Sequence, residues 1–141
     1  MNIRLVTPAP PGSRAGNRAS ANRWATLFRR LGHRVAVSTD YRGEAADIMV
    51  ALHAWRSAEA ISRFATEHPH RALVVVVTGT DAYRFIHSHR ETTLASLDAA
   101  AASTIVITLA LFWRTRKDPA WWVDGALGLV WGLAVGTKIN A

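Results

Sequence analysis

The sequence predicts an α/β fold: an open, parallel, Rossmann-like sheet over residues 1–90, then a hydrophobic two-helix hairpin over residues 91–141. Three observations carry this expectation. Short apolar runs alternate with amphipathic stretches in the order strand, helix, strand, strand, helix, strand, the pattern of a parallel sheet with helical crossovers. The run ALVVVVTGT (72–80) is apolar at nearly every position, as a strand buried on both faces is. The composition then shifts, and AAAASTIVITLALFW (99–113) and GALGLVWGLAVGT (125–137) carry no charge.

Each element has its own signal. IRLVT (3–7) is a short apolar strand that ends at Pro8. In SANRWATLFRRLGH (20–33), Trp24, Leu27, Phe28 and Leu31 recur at helical spacing and form one apolar face. Ser20 suits the cap of that helix, and Gly32 its stop after a basic last turn. RVAVS and Thr39 make the second strand (34–39), and ADIMVALH (46–53) the third. SAEAISRFATEH (57–68) is the second helix, with Ser57 as cap and Pro69 beyond its end. The fourth strand is ALVVVVTGT itself.

Composition narrows the possible functions. The absence of cysteine excludes a disulfide framework, a thiolate zinc site and a cysteine nucleophile. The formal charge of +7 suits an anionic ligand or an acidic surface, although an arginine-rich coding bias produces the same balance. No aromatic-basic interleaving or reading motif accompanies the arginines, so no nucleic-acid partner is expected. The pair His87 and His89 alternates along the chain without a third ligand at helical spacing, so no metal is expected there. Arg4 and Pro8 interrupt the first apolar run, which is therefore not a signal peptide.

The tail has two readings. Residues 94–137 contain two apolar runs around RTRKDPAWWVD, with Trp113, Trp121 and Trp122 flanking the charged turn as an interfacial belt would. The first run spans about 22 Å as a helix, against roughly 30 Å of hydrocarbon core, and lengthening it to Leu94 includes Asp98. One reading is a hairpin anchored in the membrane, its basic turn facing the cytoplasm. The other is a buried hairpin packed on the sheet.

Between the first strand and the first helix lies TPAPPGSRAGNRA (7–19), longer and more basic than most such connections. Gly12 and Gly16 permit unusual backbone angles, and amides at a helix start point toward a bound anion. Arg14, Arg18 and Arg23 add charge-assisted bonds. The spacing is neither that of a P-loop nor of a GxGxxG fingerprint. In an open parallel sheet, ligands sit beyond the carboxyl ends of the strands, where this loop, Thr39–Gly43, His53–Arg56 and Thr78–Tyr83 would meet.

VTPAPPGSRAGNRASANRWA, LGHRVAV, YRGEAADIMVALHAWRSA and LVVVVTGTDAYR together resemble the N-terminal domain of selenosugar synthase-like glycosyltransferases, over residues 1–84. These are GT-B enzymes associated with selenoneine biosynthesis. The resemblance implies half of a GT-B fold that holds a small anionic acceptor such as selenophosphate. It receives a sugar from a UDP-sugar, which the C-terminal domain of the full-length family grips. Gly12, Ser13, Arg14, Gly16, Asn17, Arg18 and Arg23 would then form the acceptor or phosphate loop. His53, Arg56, Thr80 and Asp81 would line the cleft. By its position after TGT, Asp81 suits equally the cap of a following helix, and His53 a hydrogen-bonded rim residue.

Past TGTDAYR the resemblance stops, and the remaining residues are too few for a nucleotide-sugar domain. The chain is therefore expected to bind no cofactor and to catalyse no transfer unaided. The tail faintly resembles the last two transmembrane helices of cation diffusion facilitators, but Leu94 stands where that family's metal-binding pair, formed with Asp98, needs histidine. The sequence thus leaves two functions open. One is a cytoplasmic acceptor-binding domain, with or without an inner-membrane anchor; the other is a small membrane protein or cation-transporter-like fragment working through its tail. The oligomeric state has no sequence signal.

Overall fold

A computed structural model describes residues 1–101. They form a four-stranded, wholly parallel sheet of order β2-β1-β3-β4, with β1 Asn2–Val6, β2 Arg34–Ser38, β3 Ile48–Leu52 and β4 Ala72–Val76. Helix α1 (Gly16–Arg30) joins β1 to β2, and α2 (Ala58–Glu67) joins β3 to β4. This is the expected α/β, Rossmann-like architecture. The expected C-terminal hairpin, and most of the proposed membrane segment 94–137, lie outside the described residues. Among the described residues, no helix is long and apolar enough to cross a membrane.

The two faces of the sheet follow from strand alternation and chain direction. The chain steps one way from β1 to β2 and the other way from β3 to β4. Crossovers of a single hand therefore put α1 and α2 on opposite faces. Ile3, Leu5 and Val50 pack with Ala25, Trp24 and Phe28 of α1. Val6, Met49, Ala51 and Leu73 pack with Ala60, Ile61 and Phe64 of α2.

Between β2 and β3 there is no helix. Residues 39–47 run over the α2 face instead, with Tyr41 and Ala46 buried in that core. The Tyr41 hydroxyl is 2.9 Å from His68 Nε2, and Asn2 N donates to Asp47 Oδ2 at 2.7 Å. Arg4, which interrupts the apolar run of β1, is largely covered and faces Glu44 of this segment at 3.5 Å.

Helix α1 starts four residues before Ser20. Its cap position is Ala15, which makes no side-chain hydrogen bond and so leaves no capping signal in the sequence. Its end is as expected: Gly32 takes φ +82°, with Gly32 N donating to Arg29 O and His33 N to Phe28 O, a Schellman closure.

β4 is shorter than ALVVVVTGT and is not covered on both faces. It ends at Val76, because Thr78 N turns aside to donate to Asp81 Oδ2 at 2.9 Å. Val74 is 45% exposed, although Val76 of the same strand packs against the α1-side core. After β4 the chain forms a π turn (Asp81–Phe85) and a short helix α3 (Ile86–Ser88). Residues 90–101 are helical, and Ala99 and Ala100 pack against the α2-side core. Thr93 and Ser96 face inward and return their hydroxyls to His89 O and Thr92 O of their own helix.

Candidate functional site

The sheet order reverses between β1 and β3, and their carboxyl ends are the switch point at which open parallel sheets bind ligands. Two groups of side chains stand there.

The first group is the β1–α1 loop. Pro10–Pro11–Gly12–Ser13 is a type II turn: Ser13 N donates to Pro10 O at 3.1 Å and Gly12 has φ +81°. Ser13 Oγ then accepts Ala15 N at 3.1 Å and aims the chain into α1. Gly16, Asn17 and Arg18 are the first turn of that helix, which carries no acidic residue. Arg18 N donates to Ala15 O at 3.0 Å, while the free amides of Gly16 and Asn17 and the helix dipole favour a negative charge. Arg14 is exposed beside this turn, and Arg23 is exposed two turns further on, about 10 Å along the axis.

Two polar atoms of this group are buried without a partner: Thr7 Oγ1 at the end of β1, and Nε of Arg18. Thr7 is fully buried. Arg18 Nη1 makes only a long contact, 3.4 Å, to Ala9 O. Most buried polar atoms in native proteins are satisfied, so these two orphans, one at each end of the β1–α1 connection, point to a ligand or ordered water there.

The second group joins the ends of β3 and β4. Asp81 is 0% exposed, and five donors converge on its carboxylate. Ala54 N, Thr78 N and Thr78 Oγ1 donate to Oδ2 at 3.0, 2.9 and 3.0 Å. Trp55 N donates to Oδ1 at 3.1 Å, and His53 Nδ1 lies 2.6 Å from the same oxygen. A buried carboxylate is tolerable only when it is satisfied in this way. Asp81 therefore ties two loops together from inside rather than lining an open cleft.

His53 is 2% exposed, with φ +83°, the single non-glycine positive φ among the described residues. Its Nε2 lies 3.2 Å from Thr80 Oγ1. Arg56 N lies 3.3 Å from Nδ1, but the 2.6 Å contact to Asp81 is much shorter and assigns the Nδ1 proton to the carboxylate. Burial lowers the His53 pKa below 6.5; Asp81 opposes the shift and Arg56 adds to it.

Arg56 does not point at His53. Its guanidinium lies 5.7 Å from the Phe85 ring centroid and 6.0 Å from that of Trp55. Trp55 stacks on Phe85 at 4.1 Å and meets His89 at 4.2 Å. Thr80 is exposed at the mouth of the second group.

The expected residues thus fall into two sets on neighbouring strands, Gly12–Arg18 on one side and His53, Thr80 and Asp81 on the other. Arg56 belongs to an aromatic patch beside the second. Of the further residues here, only Phe85 stood outside the sequence reading; Thr7, Trp55 and Thr78 lay within the expected strand-end segments without a role of their own, and His89 was weighed only with His87 as a metal pair. Among the described residues, no group of three or more His, Asp or Glu could hold a metal ion.

No family model matches this chain, and no curated protein matches it in sequence.

Proposed function

We propose that this chain carries the acceptor-binding half of a GT-B glycosyltransferase of the selenosugar synthase-like kind, and that its β1–α1 loop holds the anionic acceptor. Thr7 Oγ1 at the end of β1 and Arg18 Nε in the first turn of an uncapped helix, both buried and unpartnered, are the observation that most supports this reading. A tetrahedral oxyanion offers several acceptor oxygens at once. It would take the Arg18 Nε proton, the Thr7 hydroxyl and the free amides of Gly16 and Asn17, with Arg14 and Arg23 adding charge from the rim. The parallel sheet, with its switch point beside this loop, is compatible with this role. The sugar nucleotide would be held by a second α/β domain, supplied outside the residues described. The alternative reading, a membrane anchor or transporter remnant, rests on the tail 91–141, most of which lies outside the described residues.

Calorimetry on the full chain at low salt, with inorganic phosphate and then selenophosphate, tests the proposal. Saturable binding is expected, weakened about tenfold or more in Arg18→Ala, since a bond from a charged donor contributes about 1.5–3 kcal/mol. Equal affinity in the folded variant would remove the loop from the assignment.

A further inference from the structure

The second group contains an arrangement that anion binding does not use. A buried carboxylate, a buried imidazole and an exposed hydroxyl stand in series: Asp81 Oδ1 is 2.6 Å from His53 Nδ1, and His53 Nε2 is 3.2 Å from Thr80 Oγ1. The carboxylate and the hydroxyl engage different ring nitrogens. In that order the carboxylate fixes the tautomer, and the imidazole is free to take the hydroxyl proton.

Three further features fit the same use. Asp81 is held by four other donors, so it cannot swing away from the ring. Thr78 Oγ1, which is 3.1 Å from Thr80 Oγ1, spends its one proton on Asp81. The Thr80 proton therefore has two acceptors in reach, Thr78 Oγ1 and His53 Nε2. Finally, His53 keeps a backbone conformation that L residues rarely adopt, and strain of that kind gathers at working sites.

We propose that Thr80 Oγ1 is a nucleophile activated by His53 and Asp81, able to accept an acyl group from an activated ester. The hydroxyl oxygen attacks the ester carbonyl carbon, forming the Oγ1–C bond while its proton passes to His53 Nε2. Collapse of the tetrahedral adduct breaks the bond to the leaving oxygen, which departs with that proton or as a stable anion. Where the leaving oxygen departs as an anion, Nε2 first gives its proton to solvent. Water then attacks the carbonyl carbon of the Thr80 ester, losing a proton to Nε2. As the bond to Oγ1 breaks, that proton passes to Oγ1 and the carboxylic acid is released. The activity is independent of the anion loop.

The test uses the full chain with p-nitrophenyl acetate, following nitrophenolate release and locating the acetyl group by peptide mass spectrometry. The expected result is a burst of release with acetyl on Thr80, absent in Thr80→Ala and retained in Thr80→Ser. His53→Gln should slow the burst about a hundredfold or more if it folds, the usual contribution of a positioned base. The rate of the unaltered chain should also fall with acid through a His53 transition below pH 6.5, in the field of Asp81 and Arg56. Acetyl on lysines or the N-terminus alone would overturn the proposal. So would a Thr80 label whose rate ignores both His53→Gln and pH.

Discussion

The ring of Tyr41 meets the ring of Phe64 edge to face, with centroids 5.4 Å apart and planes at 78°. This contact seats the helix-free segment 39–47 on α2. Without it, the crossover from β2 to β3 would have little apolar surface to hold it. Truncating Phe64→Ala empties the centre of the α2-side core and should cost about 3–5 kcal/mol in urea unfolding. Tyr41→Phe keeps the ring and removes the hydroxyl's contacts to His68 Nε2 and to the Glu67 carboxylate, so it should cost about 0.5–1.5 kcal/mol.

Thr7→Val should separate stability from binding. The substitution is nearly isosteric and removes a fully buried hydroxyl that has no partner. The free protein should gain stability, by about 1–3 kcal/mol at most, because an unsatisfied polar group leaves the interior. Phosphate affinity should fall. A destabilised variant in denaturant melts would mean that the hydroxyl is already satisfied, for instance by water.

Gly12→Ala tests the turn in front of α1. No atom lies within 4 Å of where the new Cβ would sit, so the cost comes from φ +81° alone. That cost is about 1–2 kcal/mol. Melting should show a loss of that size, or a loop that relaxes and binds phosphate poorly. An unchanged protein in both respects would mean that the type II turn is unimportant.

Asp81→Asn should be far more damaging than its size suggests. The amide nitrogen would face donors that now converge on an oxygen, at a residue sealed from solvent. Breaking such a buried set costs about 3–5 kcal/mol, to be read from chemical denaturation.

The His53 shift has a definite sign. Its folded pKa lies below 6.5 because burial disfavours the cation, so the folded state takes up its proton later than the unfolded chain. The stability this group contributes is complete above pH 6.5. It is lost as pH falls through the folded pKa. Unfolding free energy followed from pH 7.5 downward should decline more steeply in the native chain than in His53→Gln. Parallel curves would assign the acid sensitivity elsewhere.

The sequence makes the sheet legible because four short β-branched runs alternate with two apolar faces at helical spacing. Its reading of α1 is late by one turn, since Ser20 looks like a cap while the true cap position, Ala15, contributes no side chain. The TGT extension of β4 is misread because threonine favours strands. What ends the strand is a carboxylate whose other donors, Ala54 and Trp55, lie 27 and 26 residues away. The same long-range contacts hide the burial of Asp81, because a charged residue beside two threonines reads as surface. The loop before α1 was visible through its prolines, glycines and arginines. Its two orphan atoms were not, since satisfaction is a property of packing.

Position 53 makes two demands that pull apart. Its backbone geometry is one that glycine or asparagine meets at little cost, while its ring must reach Asp81 with one nitrogen and Thr80 with the other. Glycine relaxes the chain and abandons both contacts, and asparagine is too short to make both. Each single replacement therefore trades one requirement for the other, which leaves histidine isolated in the space of neighbouring sequences. Natural drift should find this site far harder to leave than the apolar positions around it, where several side chains of similar volume suffice.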